Sequence, residues 1–234
     1  MAWAKPTTIT SWSYSRYNTY KQCPLKAKLT IIDKLQEPKN AAMERGTAIH
    51  NMAEGFLKGT VKTLPKELKA FGPMFKDLKA SIKKPDQVVI VEDMWGYTAK
   101  WAETAWNNWT DCKVRVKLDV AHINGDAMTI IDWKTGKYRP DNLDDYVEQQ
   151  ELYAVAGLSK YASQVKTVTP QLVYLDAGIL HPSLTYAATD LPGLKKLWEK
   201  RTKPMLNDKT FAPRPNKYCG WCHFRKGNNG PCPY

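Results

Sequence analysis

Val116-Lys117-Leu118-Asp119-Val120, then Asn124-Gly125-Asp126, then Met128-Thr129-Ile130-Ile131-Asp132-Trp133-Lys134 follow one another near the middle of the chain. Two apolar runs flank an Asn-Gly-Asp turn signal, which predicts a hairpin over 113–123 and 127–134. Side chains two apart on a strand share a face, so Asp132 and Lys134 are presented together. Two registers are open. With Gly125-Asp126 as the loop, Asp119 lies opposite Asp132. With Asn124-Gly125 as the loop, the pair is offset by two and still on one face. Either register gathers Asp119, Asp132 and Lys134.

Two carboxylates that close repel, and one protonates unless a cation sits between them. Hard oxygen donors suit Mg²⁺ or Mn²⁺. Such an ion polarises a phosphate and lowers the pKa of a bound water, and a nearby lysine can orient that water or offset developing charge. An Asp-x-Lys at a strand end is common and taken alone reads as a surface salt bridge before it reads as a site, so the catalytic reading depends on the rest of the chain.

The chain has 234 residues, 43% hydrophobic and 25% charged. That is enough for a substantial core and ordinary for a globular protein. No stretch approaches the ~18–20 apolar residues of a membrane helix, and Met1-Ala2-Trp3-Ala4-Lys5-Pro6 has no signal-peptide apolar region. The expectation is an intracellular, cytoplasmic protein, whether cellular or virus-encoded. The net charge of +12 is uneven. Residues 1–90 carry 16 Lys/Arg against 7 Asp/Glu, residues 91–190 carry 9 against 14, and residues 191–234 carry 10 against 2. An acidic middle between basic ends suits a cation site with phosphate-gripping flanks. A solvated surface accounts for the same charges.

Thr10-Ser11 or Ser13 can cap a helix through Tyr14, Tyr17, Tyr20 and Leu25, with a kink or boundary at Cys23-Pro24. A second helix is predicted over 40–57, with Met43, Ile49, Met52, Ala53 and Phe56 as its apolar set. Residues 65–81 form a shorter amphipathic helix. Val88-Val89-Ile90-Val91 is a strand ending at Glu92. Residues 95–112 hold four tryptophans and read as a helix or an irregular insertion, its aromatics packed rather than stacking on bases. After the hairpin come a long helix over 141–161, strands over 165–175 and 179–186, a basic helix over 191–206, and a tail from Phe211 with little regular structure. The fold class is α/β, a central mixed sheet flanked by helices. We expect one domain over 1–234, with a helical part (1–85), a sheet and helix (86–190) and a basic helix with a cysteine-rich tail (191–234).

Five cysteines without an export signal favour metal binding over disulfides. Cys219-x-x-Cys222 is a natural chelate, Cys232 is a third thiol, and Cys23 is the candidate fourth. His223 beside Cys222 also allows zinc. Cys112 is left over and reads as buried.

Gly46-Thr47-Ala48-Ile49-His50 puts a histidine one turn after a glycine, whose missing side chain lets the helix approach other backbone. Gln149 and Tyr153 share a face of the helix after the hairpin. The ordered set Gly46-x-x-x-His50, Asp119, Asp132-Trp133-Lys134-Thr135-Gly136 and Gln149-x-x-x-Tyr153 resembles the RecB-like branch of the PD-(D/E)xK nucleases. So does the opening Ser11-Trp12-Ser13-Tyr14-Ser15-Arg16 through Tyr20-Lys21-Gln22-Cys23-Pro24. The resemblance spans roughly residues 11–232 and extends to the phage and CRISPR-associated exonucleases of that branch.

That resemblance implies a restriction-endonuclease-like core with a cysteine-stapled helical region, and a Mg²⁺- or Mn²⁺-dependent deoxyribonuclease. His50, Asp119 and Asp132 would bind the metal, with the Trp133 carbonyl a further ligand. Lys134 would be the catalytic lysine, Glu92 an acid near the metal, and Gln149 and Tyr153 would position DNA. Cys23, Cys219, Cys222 and Cys232 would hold a structural [4Fe–4S] cluster. The activity implied is an exonuclease on single strands or DNA ends, in recombination, repair or phage DNA metabolism. A structure-specific or spacer-processing endonuclease and a non-catalytic DNA-binding adaptor are the alternatives. There is no Gly-x-x-x-x-Gly-Lys-Ser/Thr loop, so unwinding would come from a helicase or recombination partner.

Overall fold

The computed structural model describes residues 7–38 and 40–234. Its helices are α1 (Tyr14–Gln22), α2 (Pro24–Ala27), α3 (Ala41–Lys58), α4 (Gly72–Ser81), α5 (Leu143–Lys160) and α6 (Leu191–Asn207). Its strands are β1 (Gln87–Tyr97), β2 (Glu103–Thr104), β3 (Val114–Asn124), β4 (Ala127–Lys134), β5 (Thr167–Tyr174), β6 (Ile179–Leu180) and β7 (Tyr186–Ala187). They form one sheet in the order β2-β1-β3-β4-β5-β6, with β7 also on β5. The β4–β5 pair is parallel and the other pairs are antiparallel. A parallel pair needs a long crossover, and α5 supplies it.

Local chemistry sets the element ends. Asn40 accepts the Met43 N–H and starts α3, and Gly59 ends it at φ 81°. Ser13 accepts the Arg16 N–H and starts α1. Cys23, extended at φ −156°, breaks the run, and α2 restarts with Pro24 at its first position. At the hairpin Asn124 faces Ala127, so Gly125-Asp126 is the loop. Gly125 has φ 63°, which a type II′ turn requires at its first central position. This selects the register that sets Asp119 against Asp132.

The sheet has two packed faces. Ile49, Phe56, Phe75, Leu78, Val120, Ile131 and Trp133 make one core beneath α3 and α4. Trp12, Tyr17, Ile130, Leu152, Tyr153, Leu172 and Trp198 belong to the larger core beneath α1, α5 and α6. Helices on both faces of a mixed sheet are the architecture expected from the sequence.

Of the two readings open for 95–112, the irregular insertion is the one found, and several other sequence expectations are corrected. β1 runs on to Tyr97, and an irregular loop with the two-residue β2 follows. Trp95 and Trp101 are buried as expected, but Trp109 is 77% exposed. Residues 65–81 divide into a 3₁₀ turn (Lys66–Phe71) and α4. The strand expected over 179–186 is two short pairings, β6 and β7, and the 141–161 helix starts as a 3₁₀ turn with α5 proper from Leu143. Met43, assigned to the apolar face of α3, is exposed. Among the described residues no helix is long and apolar enough to cross a membrane.

Candidate metal and nucleic-acid site

Glu92 does not end its strand. It sits inside β1 at φ 53°, which an L-residue adopts only under constraint. The two flanks of β1 pair with β3 in one register, Val91 with Val120 and Asp93 with Leu118, which leaves Glu92 opposite Asp119. At that pair the alternation of faces inverts in both strands. Trp95 and Tyr97 face the larger core, whereas Val89 and Val91, of the same parity, pack on the smaller one. Likewise Leu118 lies in the larger core and Val120 in the smaller. Alternation continued from Val89, Val91 and Val120 would send both acids into the larger core. The inversion leaves them on the side of α3, where His50 meets them.

His50 comes down from α3. Its Nδ1 lies 3.1 Å from Asp119 Oδ1 and 3.9 Å from Glu92 Oε1. Among the described residues, His50, Glu92 and Asp119 form a group whose ligand atoms lie within 4.8 Å of one another. Gly46 explains how α3 gets this close, since a Cβ there would sit 3.1 Å from Thr135 Oγ1. The other Asp119 oxygen accepts the Trp133 N–H at 2.7 Å, next to where the β3–β4 ladder stops. The Trp133 ring points the other way and stacks on Phe75 at 4.5 Å. Lys117 pairs with Glu92 at 2.8 Å.

Asp132 and Lys134 face α5 and close a ring of polar contacts. Lys134 Nζ is ion-paired with Asp132 and donates to Gln149 Oε1 at 3.0 Å. Gln149 donates to the Tyr153 hydroxyl at 3.1 Å, which donates to Asp132 Oδ1 at 3.2 Å. Asp132 Oδ2 is buried and meets the lysine without hydrogen-bond geometry.

The charges have physical consequences. Burial pushes the Asp119 carboxyl up, and Asp132 adds to it, against the bonds from His50 and Trp133. The bond to Asp119 raises the His50 imidazole against the opposing effect of burial. Burial, then Asp132, pushes the Tyr153 phenol well up, so it stays a neutral donor. Lys117 and Lys134 pair with Glu92 and Asp132, while the Asp119 carboxyl, raised by burial and by Asp132, is the one whose charged form a bound cation would favour. The donors are one imidazole nitrogen and carboxylate oxygens. That set fits a hard divalent ion.

Apart from this centre, Cys23, Cys219, Cys222 and Cys232 line one cavity of about 230 Å³. The Arg214 N–H points to Cys23 Sγ at 3.5 Å and the Asn216 N–H to Cys219 Sγ at 3.2 Å. The tail docks on the end of α1, with Arg214 donating to the Lys21 carbonyl and Asn216 to that of Gln22. His223 packs against Phe224 and is not among the cavity's lining residues. Cys112 is buried elsewhere, as expected.

The sequence singled out every residue of the two acidic groupings. It missed Lys117, which alternates with Asp119 on β3, and Arg115, which is 6% exposed. A charged residue two and four positions before a candidate ligand acid was the available signal.

Comparison with solved structures finds a protein from Eubacterium rectale whose assignment as an exonuclease is provisional. It shares 12% identity at a TM-score of 0.46, over 97% of this chain and 90% of that one. A second, SSO0001, shares 14% identity at a TM-score of 0.43, over 96% and 86%. These likenesses concern the fold and carry no functional argument. No curated protein matches the sequence. The family model of the PD-(D/E)XK nuclease superfamily, however, matches residues 11–226, which takes in His50, the β3–β4 hairpin, α5 and Cys222, and the chain belongs to that superfamily.

Proposed function

We propose that the protein is a Mg²⁺- or Mn²⁺-dependent deoxyribonuclease of the RecB-like branch, one domain acting inside the cell as an exonuclease on single-stranded DNA or DNA ends. The observation that carries this reading is the convergence of His50, Glu92 and Asp119 beside the ring of Asp132, Lys134, Gln149 and Tyr153. An adaptor that had lost catalysis would have no need of an intact lysine and acids in this arrangement. Recombination, repair or phage DNA metabolism, with a helicase partner for unwinding, is the setting we favour.

His50, Glu92, Asp119 and Asp132, with the Trp133 carbonyl, would hold the ion. When bound, a divalent ion supplies Lewis acidity toward a phosphate and a more acidic water. Lys134 is held by two partners, so its ammonium is oriented before substrate arrives, as electrostatic catalysis requires. It would position the water or offset charge on the scissile phosphate. Gln149 fixes Lys134, and Tyr153 fixes both Gln149 and Asp132. The basic ends would grip the backbone, so binding should weaken steeply with salt.

The four-cysteine cavity supports a [4Fe–4S] cluster as a structural staple. Four thiols meet there across nearly 200 residues of sequence, and Lys26, Arg214 and Arg225 line the cavity, which suits an anionic cluster. A single zinc bonded at about 2.3 Å would draw its thiolates to within about 4 Å of one another. No three of these sulfurs lie within 4.8 Å of one another. Anaerobic purification should give a brown, iron-containing protein, and Cys219→Ala should lose iron and solubility. A colourless, iron-free preparation refutes the cluster.

The nuclease is tested with end-labelled single- and double-stranded DNA and a circular single strand, with Mg²⁺, Mn²⁺ or EDTA, beside Lys134→Ala. Activity that persists in EDTA or in Lys134→Ala overturns the mechanism. Cleavage of the circle assigns an endonuclease instead.

A further inference from the structure

Arg115 is a buried cation without a carboxylate. Its Nη1 donates to Ser11 Oγ at 2.7 Å and its Nε to the Trp106 carbonyl at 3.2 Å, while its Nη2 is buried with no partner. Arg16 reaches the same Ser11, through Nη1, at 3.0 Å. Neither guanidinium has a carboxylate within 4.0 Å among the described residues. The Trp109 and Trp106 rings face the Arg115 guanidinium at 4.7 and 5.8 Å and offset part of the cost of its burial, but they leave the Nη2 donor unmet, and an anion would complete it. Burial, then the charge of Arg115, disfavours the Arg16 cation.

The surroundings suit an anion. Ser13, Ser15, Arg115, Lys117, Gln149 and Tyr153 are among the residues that line a cleft of about 360 Å³. Ser13 caps the nine-residue α1, so free N–H groups and the positive end of the helix dipole lie at the cleft. Trp12 fixes the entry segment there. Its N–H donates to the Lys113 carbonyl and its carbonyl accepts from the Arg115 backbone N–H, both at 2.8 Å. Lys117 lines this cleft and also the one holding His50 and Glu92, and Gln149 and Tyr153 belong to the Asp132 ring. The cleft therefore adjoins the candidate catalytic centre directly.

We propose that this cleft is a phosphate subsite, in which Arg115, Lys117 and the start of α1 hold a non-scissile phosphate of the substrate strand, with Arg16 adding positive charge from behind Ser11. The inference rests on the nuclease reading and deepens it. Arg115 would complete its fork on two phosphate oxygens, and the Ser13 and Ser15 hydroxyls would add donors. A phosphate here would set the strand's register against Lys134. The phosphate is either an internal diester or a terminal 5′-monoester, and the same chemistry serves both.

The test is equilibrium binding in EDTA, so cleavage does not enter. Wild type, Arg115→Gln and Ser15→Asp are titrated with a short labelled single strand. Each phosphate in turn is made an uncharged methylphosphonate, and the 5′ end is either phosphorylated or free. Ser15→Asp is the safeguard against misfolding, since an acid in the first turn of a helix favours it yet repels an anion in the cleft. We expect wild type to lose about tenfold in affinity at one position, the scale of a charge-assisted contact. Both variants should lose that position-specific effect, and whether the position is internal or the 5′ end identifies the source. A uniform loss across all positions, or variants that keep the wild-type position dependence, overturns the subsite while leaving the nuclease reading intact. A wild type that neither binds nor cleaves DNA overturns both.

Discussion

The left-handed Glu92 can be tested by comparing Glu92→Gly with Glu92→Ala. Both remove the carboxylate, the pair with Lys117 at 2.8 Å and the side-chain packing, so those losses cancel in the comparison. What differs is the backbone. At φ 53° a Cβ costs about 1 kcal/mol or more that glycine does not incur. Inside an ordinary strand the order is reversed, with glycine weaker by roughly 0.5–1 kcal/mol. The Gly variant should therefore be the more stable by about 1 kcal/mol, a Tm difference of about 2–4 °C for a chain of this size. Thermal or urea denaturation in EDTA measures it. Both variants should lose cleavage and any Mg²⁺-dependent rise in Tm, because ligand stabilisation disappears with the site. An Ala variant as stable as the Gly variant would refute the inverted-strand account of how Glu92 and Asp119 are aimed.

Three further outcomes are expected. Tyr153→Phe keeps the buried ring but removes the donor to Asp132 and the acceptor for Gln149. Its kcat should fall about tenfold or more with little change in KM, and an unchanged kcat would show that the ring does not orient Lys134. Gly157→Val would bring a Cβ to 2.8 Å from Met128 Sδ and 3.2 Å from Ile130 and Val168, so overpacking should cost about 2–3 kcal/mol in urea titrations. Asp208 accepts the Tyr20 hydroxyl and the Thr210 and Phe211 N–H groups at 2.8–2.9 Å. Burial pushes its carboxyl up, but the bonds from Phe211, Tyr20 and Thr210 outweigh it and hold the carboxyl below its ordinary range. A depressed carboxylate stabilises above its ordinary pKa of about 4 and loses that contribution as pH falls through its lower folded value. Asp208→Ala should thus lower Tm at pH 7, and the gap to wild type should close in melts below about pH 4.

The local signals were strong where physics is local. Apolar positions at helical spacing marked α3 and α5, Asn40 marked the start of α3, Ser13 was one of two candidate caps for α1, and Asn-Gly-Asp marked the hairpin. The turn left two registers open, and the folded hairpin took the one whose glycine suits the first turn position. Motif order was enough to name His50, Asp119, Asp132, Lys134, Gln149 and Tyr153 before any coordinates. The 95–112 loop was less legible, because its tryptophans pack by tertiary contact and follow no period.

The sequence by itself determined the hairpin, the helix faces, the mixed α/β class and the roster of chemically able side chains, because caps, turns and periodicity act over a few residues. Only the tertiary structure decided how that roster is aimed. The inversion at Glu92 and Asp119 breaks the alternation that a strand implies, and it takes two strands and α3 together to hold a left-handed residue there. The meeting of Cys23 with a tail nearly 200 residues away, and the burial of Arg115 without a counterion, are equally non-local. Each depends on which surfaces the folded chain brings together, and no short stretch of sequence encodes that.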